Sequence, residues 1–219
     1  GLTAELENGN LRYIRWNGIE LLRALSYIVR DRNWGTYSPE ISNLAATQGR
    51  EGFRVVYEAV ARDAGQAFHY SAEITGSSDG TLVFHGRGQP VGDFLTNRTG
   101  FVVLHPVERV AGFPAAVEHV DGQTVETKFP EIIDPLQPMM NLRAITHEPH
   151  PGLRVTCRME GDTFEMEDQR NWTDSADKTD GRPCGLPWPY TLKDGETLDQ
   201  TVTFTVDADE RGAASPTAG

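Results

Sequence analysis

The sequence has little cysteine and no long apolar run, and each absence excludes a class of protein. Two of its 219 residues are cysteines, Cys157 and Cys184, which are too few for a disulfide framework and too far apart for a metal knuckle. We expect both to be reduced and structural. No segment approaches the roughly 20 consecutive apolar residues that cross a bilayer, so we expect a soluble protein.

Positive charge is also scarce. Lysine and arginine number 20 against 32 aspartate and glutamate residues, which gives a formal net charge of -12. A negative field repels phosphate backbones and anionic lipid headgroups, so we expect neither nucleic acid nor membranes as partners. A local arginine cluster can still bind a small anion at contact distance, and the charge of a substrate therefore stays open.

Several signatures of cofactor and metal chemistry are missing. The sequence has no phosphate-binding glycine loop, no dinucleotide fingerprint and no His-Glu-x-x-His motif. We therefore expect no cofactor and no metal. The first residues, Gly1 to Glu5, lack the basic and apolar parts of a secretory signal, which favours a cytoplasmic location.

Short strand patterns recur along the whole chain. Apolar and alternating runs of four to six residues are separated by Asn-Gly and Asp-Gly turns, which mark hairpins. The pattern predicts an all-β protein, an antiparallel β-sandwich, with one domain over residues 1–206. Residues 207–219 are poor in large apolar side chains, and we expect a flexible tail or linker there.

Two segments leave room for other structures. Residues 19–30 contain a stripe compatible with a short helix, but they continue an Asn-Gly turn, and we prefer a strand. Prolines punctuate residues 106–138, which predicts long loops rather than regular structure. Long loops are common places for binding groups.

The densest polar segment runs from Phe164 to Asp174. In a strand, Glu165 and Glu167 would share one face, and neighbouring carboxylates can divide acid and base roles. The alternative is a solvated acidic face balanced by basic residues of the same region. From this segment and its surroundings we predict two catalytic carboxylates, Glu167 and Asp168, and a set of substrate-binding residues that comprises Arg98, His119, Arg170, Asn171, Trp172 and Lys178.

His105 ends an apolar run just before a proline. We expect that strand to deliver the imidazole to the rim of a sheet, where it would act as a third catalytic residue. It could instead be a structural histidine, or line a cleft or metal site with Glu118 and His119. Trp34 and Trp188 are equally suited to capping the core and to stacking on a ligand.

Three segments carry a resemblance to a known family. They are Asp31 to Thr36, Gly100 to Pro106 and, above all, Phe164 to Asp174 with its Glu-Asp-Gln-Arg-Asn-Trp-Thr-Asp run; Leu186 to Tyr190 adds to them. The chain resembles the amino-terminal β-sandwich domain of D-apionate lactonase-like proteins over about residues 2–206. It departs from the family pattern at Asp177 and Asp180, where that pattern has aromatic residues.

The resemblance implies a galactose mutarotase-like supersandwich that handles a sugar or sugar acid. It also implies a catalytic barrel domain as partner, because such proteins usually continue into one. Three hypotheses follow: a lactone hydrolase with Glu167 or Asp168 as base, His105 as acid and Arg170 on the substrate; a mutarotase-like epimerase; or a non-catalytic domain that binds carbohydrate or packs on a catalytic domain.

Overall fold

A computed structural model describes residues 1–131, 138–168, 176–183 and 185–213, and almost all regular structure in these ranges is antiparallel strand. The strands are β1 (Leu2–Glu7), β2 (Asn10–Trp16), β3 (Ile19–Arg30), β4 (Glu40–Gly49), β5 (Gly52–Arg62), β6 (Ala67–Ser77), β7 (Thr81–Val91), β8 (Phe94–Thr96), β9 (Arg98–Pro106), β10 (Pro114–His119), β11 (Thr124–Lys128), β12 (Met139–His150), β13 (Leu153–Glu160), β14 (Phe164–Asp168), β15 (Ala176–Gly181), β16 (Tyr190–Leu192) and β17 (Leu198–Ala208). Two single-turn helices, α1 (Val107–Val110) and α2 (Glu210–Ala213), accompany them.

The strands hydrogen-bond in the order β1-β2-β3-β9-β15-β14-β12-β13-β17-β7-β6-β5-β4. Strand β12 joins the two halves of this path, because it pairs with β14 near its start and with β13 farther along, and it also carries the β10–β11 hairpin. The short strands β8 and β16 form a separate ladder. All of these ladders are antiparallel, as the turn pattern predicts.

The two halves pack face to face as a sandwich. The Tyr27 and Tyr70 rings lie 4.7 Å apart, and the Phe84 and Phe101 rings 4.9 Å apart, joining β3 and β9 to β6 and β7 across the core. Cys157 is a free, fully buried thiol within the same core, which agrees with its expected structural role. Cys184 lies outside the described residues.

Local chemistry explains the hairpins. Asn8 and Gly9 both have positive φ, as do Asn17 and Gly18, and this conformation belongs to the two-residue turns whose twist suits antiparallel strands. Residues 19–30 form strand β3, so the preference for a strand over a helix is confirmed.

The prediction of irregular loops over residues 106–138 is wrong for much of that range. It contains α1, β10 and β11, and β10 is tied into the sheet by pairing with β12. Prolines misled the prediction because Pro106 ends β9 and Pro114 begins β10, and strand ends tolerate a missing N–H group.

At the carboxyl end, β17 continues through Asp207 to Ala208 before α2 begins. Residues 214–219 lie outside the described residues, so the flexible tail stays a prediction. Neither helix in the described part of the chain is long and apolar enough to cross a membrane.

Candidate functional site

The pairing of β14 with β15 places ionisable side chains on one face of the sheet. Glu165 lies opposite Asp180, and Glu167 lies opposite Lys178. Phe164 and Met166, which alternate with the glutamates, are fully buried in the core. The predicted shared face of Glu165 and Glu167 is therefore confirmed, and it is the face directed away from the core.

Three of these side chains and Arg98 of β9 form a network that we call the charged cluster: Arg98, Glu167, Lys178 and Asp180. Lys178 Nζ lies 2.7 Å from Glu167 Oε2 and 2.8 Å from Asp180 Oδ2. The same Asp180 oxygen accepts a hydrogen bond from Arg98 Nη1. Residues from β9, β14 and β15 thus meet through one shared carboxylate.

Burial sets the electrostatics of the charged cluster. The side chains of Arg98 and Asp180 are 3% and 0% exposed, whereas those of Lys178 and Glu167 are 13% and 22% exposed. Burial raises the pKa of Asp180 to about 6, against the opposing pull of Arg98 and Lys178. Asp180 can therefore exchange a proton near neutral pH, while the partly exposed pair offers a donor and an acceptor to solvent.

Aromatic rings lie beside the charged cluster. The Trp34 and Trp188 rings are 5.3 Å apart, and the Trp188 and Tyr190 rings are 5.6 Å apart. The guanidinium carbon of Arg98 lies 5.9 Å from the Trp34 centroid and 5.5 Å from the Trp188 centroid. Trp34 is 44% exposed, so this indole is not a cap on the core.

Two further arginines stack on the same rings. Arg30 lies opposite Arg98 in the β3–β9 ladder, and its guanidinium carbon is 5.9 Å from the Trp34 centroid. Arg182 follows β15 and stacks on Tyr190 at 3.7 Å and on Trp188 at 5.6 Å. Sequence reasoning missed both arginines, because only the fold brings them to the rings that Arg98 also contacts.

His105 lies on the other face of its strand. Its ring is fully buried, 5.6 Å from the His147 ring and 5.7 Å from the Phe129 ring. Burial lowers the pKa of His105 to about 4, partly offset by the backbone of Asp177. His105 does lie at the end of β9, next to its last residue, but the prediction of an imidazole at an accessible rim is wrong, because the ring points into the core.

Strand alternation gives the physical reason. The β3–β9 register runs without a shift from Arg98 to Leu104, and His105, an odd number of residues from Arg98, faces the opposite side of the sheet. The predicted meeting of His105 with Glu167 in one cleft is therefore also wrong. His105 is therefore a structural histidine of the core.

His119 and its neighbour lie elsewhere in the sheet. His119 ends β10, which β12 separates from β14, and its Nδ1 atom is 2.9 Å from the Met140 carbonyl oxygen. Glu118 forms an ion pair with Arg158. No group of three or more potential metal ligands occurs in the described part of the chain.

Part of the predicted site cannot be placed. Arg170, Asn171 and Trp172 lie outside the described residues, as does the side chain of Asp168, whose backbone pairs with Asp177. The described site therefore consists of the charged cluster, Arg30, Arg182 and the aromatic rings.

Two other features of the described chain carry no site. Gly76 to Gly80 matches the Gly-x-Ser-x-Gly spacing of a serine nucleophile turn, with Ser78 at the serine position. This segment instead forms the β6–β7 hairpin, in which the Gly80 N–H donates to the carbonyl oxygen of Ser77, and no helix follows it.

A wide groove of about 620 Å³ crosses the outer face of β5, β6 and β7. It is open to solvent, and its side chains, such as exposed His69 and Arg87, bring no buried charge to a common point.

The fold defines the class of protein. It is a galactose mutarotase-like β-sandwich: a GalM/aldose epimerase homologue from C. elegans superimposes with a TM-score of 0.58 at 11% identity, covering 95% of this chain and 96% of that one. A glycoside hydrolase family 97 enzyme from Pseudoalteromonas sp. strain K8 gives a TM-score of 0.61 at 9% identity, covering 94% of this chain but 34% of that one. At these identities the likeness concerns the fold alone.

Within this class, the chain belongs to the family of D-apionate lactonase N-terminal domains, whose model matches residues 1–209. It is 47% identical over 215 residues to a D-apionate lactonase of Brucella anthropi. The match covers 97% of this chain and 35% of the relative, so the chain spans about a third of the relative's length. The expected family is confirmed.

Proposed function

We propose that this chain is a sugar-binding domain of a lactonase and that it holds a sugar acid or its lactone at the charged cluster. Family membership supports the choice of ligand, since the relative from Brucella anthropi is a D-apionate lactonase. The observation that carries the proposal is the network in which Asp180 joins Arg98 and Lys178, with Glu167 alongside.

The energetic cost of burying charge favours a role of the charged cluster in binding over a role in stability. Desolvating charges costs several kcal/mol per ion, and apolar replacements of buried ion pairs are often neutral or stabilising. A sandwich with an extensive apolar core gains little from two nearly inaccessible charges on its outer face. Such groups are typical of functional sites. Their alternating donors and acceptors match the hydroxyl groups of a sugar, and the neighbouring indoles match its apolar ring face.

In this proposal the domain binds and positions, while the remaining two thirds of a longer lactonase supplies the main catalytic step. A barrel domain remains the expected partner, and a cytoplasmic location remains a prediction. The division agrees with the composition of the charged cluster, whose four described members are two carboxylates, a lysine and an arginine.

A calorimetric titration of the purified chain with D-apionate, its lactone and D-galactose tests the proposal. Glu167→Gln and Lys178→Met should each weaken binding about tenfold, since each removes a charged hydrogen-bonding partner. Lys193→Met is the matched control, because Lys193 forms an exposed ion pair with Asp93 and should leave binding unchanged. No binding by the wild-type chain, or equal losses in all three variants, would contradict the proposal.

The pKa of Asp180 favours a second candidate function, an enzyme complete in this domain. A carboxyl group with a pKa of about 6 suits proton transfer in lactone hydrolysis or in a mutarotase-like epimerisation. Acid release from sugar lactones, followed by pH-stat, and polarimetry of freshly dissolved aldoses distinguish the two reactions. Turnover that disappears in a folded Asp180→Asn variant would establish the enzyme.

A further inference from the structure

Three arginines, Arg30, Arg98 and Arg182, gather on the aromatic side of the site. Arg98 is paired with Asp180, but Arg30 and Arg182 have no carboxylate within ion-pair distance among the described residues. Asp162 acts on Arg182, and Asp180 and Glu167 act on Arg30, only at longer range.

Both arginines also hold unused donors. The Nε atoms of Arg30 and Arg182 are buried and lack a hydrogen-bond partner in the described part of the chain. A buried donor left in that state costs on the order of 1–3 kcal/mol. Arg30 does use Nη1, which donates to the Trp34 carbonyl oxygen at 3.1 Å, so the guanidinium is held in place while its Nε donor stays unpaired.

The register adds a second unfavourable contact. Arg30 and Arg98 are direct cross-strand partners, and like charges in that position repel. Burial and the charge of Arg98 lower the pKa of Arg30. An anion bound between these groups would remove the repulsion and satisfy the donors together.

Stacking prepares the guanidinium groups for such an anion. The guanidinium carbons of Arg30 and Arg98 both lie 5.9 Å from the Trp34 centroid, and those of Arg98 and Arg182 lie 5.5 Å and 5.6 Å from the Trp188 centroid. A guanidinium whose face rests on an aromatic ring keeps its edge N–H groups free, and that edge matches a carboxylate in a two-pronged contact.

We infer that Arg30 and Arg182 form a carboxylate subsite, so that the domain selects the open sugar acid over the neutral lactone. This inference rests on the proposed function, because it assigns the acid group of the same ligand to the arginines and its hydroxyl groups to the charged cluster. A neutral lactone would use the charged cluster and the indoles but leave both Nε donors unpaired.

The experiment measures the dissociation constants of D-apionate, its lactone and the neutral sugar D-galactose for matched variants. Arg30→Gln and Arg182→Gln should each raise the dissociation constant of the acid about tenfold or more, and that of the two neutral ligands less than about threefold. Arg32→Gln, which alters an exposed arginine two residues from Arg30, should change none of them. Arg30→Lys and Arg182→Lys retain the charge but lose the planar fork, and they should recover only part of the affinity for the acid.

The outcomes separate this inference from the proposed function. Wild-type chain that binds none of the three ligands would overturn both. A second outcome would overturn the carboxylate subsite alone. In that outcome the wild-type chain binds the ligands, and both glutamine variants weaken the binding of acid and neutral ligands equally or not at all. Thermal unfolding of each variant shows that it is folded, and the lysine variants replace any glutamine variant that is not.

Discussion

The buried histidine pair predicts a strong acid sensitivity of this fold. Burial lowers the pKa of His105 to about 4 and that of His147 to about 3, whereas an unfolded histidine titrates near 6.5. Both rings are therefore neutral in the folded protein at pH 7. As pH falls below 6.5, protons bind the unfolded chain first, so the stability gained from neutral burial is lost between pH 6.5 and the folded-state pKa values.

The magnitude follows from these values. Each histidine should remove about 3 kcal/mol of unfolding free energy by pH 4. Asp180 acts in the opposite direction, because its folded-state pKa of about 6 exceeds its ordinary value of 3.8, and the folded protein binds that proton first. Asp180 should restore about 2 kcal/mol over the same range. The net loss of about 4 kcal/mol is a large fraction of the total stability of a typical domain, which is about 5–15 kcal/mol.

The assay is urea unfolding, followed by tryptophan fluorescence at pH 7, 6, 5 and 4, of wild-type chain and a His105→Leu, His147→Leu double variant. The double variant lacks the two groups and should lose about 6 kcal/mol less than wild type between pH 7 and pH 4. His69→Leu is the control, because His69 is exposed and should leave the wild-type profile intact. Parallel pH profiles for wild type and the double variant would refute the reasoning.

Three further predictions concern stability and reactivity. Asp180→Asn should destabilise the fold by about 3 kcal/mol in thermal or urea unfolding, because Arg98 stays buried without its carboxylate partner. Asp93→Asn, at an exposed ion pair, should cost less than about 1 kcal/mol, and equal losses of stability in the two variants would contradict the buried pair. Gly100→Ala should lower the free energy of unfolding by about 2 kcal/mol or more, because φ is +138° and an added Cβ atom would clash with the buried side chain of Gln200. An unchanged melting temperature would contradict this clash. Burial raises the pKa of the Cys157 thiol to about 12, so a thiol reagent should modify it only after unfolding, and rapid modification of folded protein lacking the other cysteine would show that the thiol is accessible.

Much of the fold could be predicted from local chemistry. Asn8-Gly9 and Asn17-Gly18 fix their hairpins through positive φ values, and the alternation in β14 correctly separates two glutamates from the core residues Phe164 and Met166. These signals depend on neighbours in the sequence. The β10–β11 hairpin was missed because its stabilising partner, β12, lies outside the hairpin and is not signalled by the residues of the hairpin itself.

The site was less predictable because it depends on register between distant strands. Arg98 and Asp180 are 82 residues apart in sequence, and a shift of one residue in either ladder would turn one of them toward the core. The same sensitivity explains why His105 was misplaced. Its position beside a proline indicates the end of a strand but does not show which face of the sheet the side chain occupies. Glu167 and Lys178 were found because they belong to one hairpin-like segment of high local polarity.

The position of β17 has a consequence for synthesis and folding. This strand, Leu198–Ala208, is inserted between β7 and β13, so both neighbours expose unpaired edges until the last part of the domain emerges from the ribosome. Pairings between strands so far apart in sequence form slowly, and exposed edges promote association with other chains. Nascent chains that end before β17 are thus the aggregation-prone species of this domain, and completion of β17 is the event that joins β13 to β7.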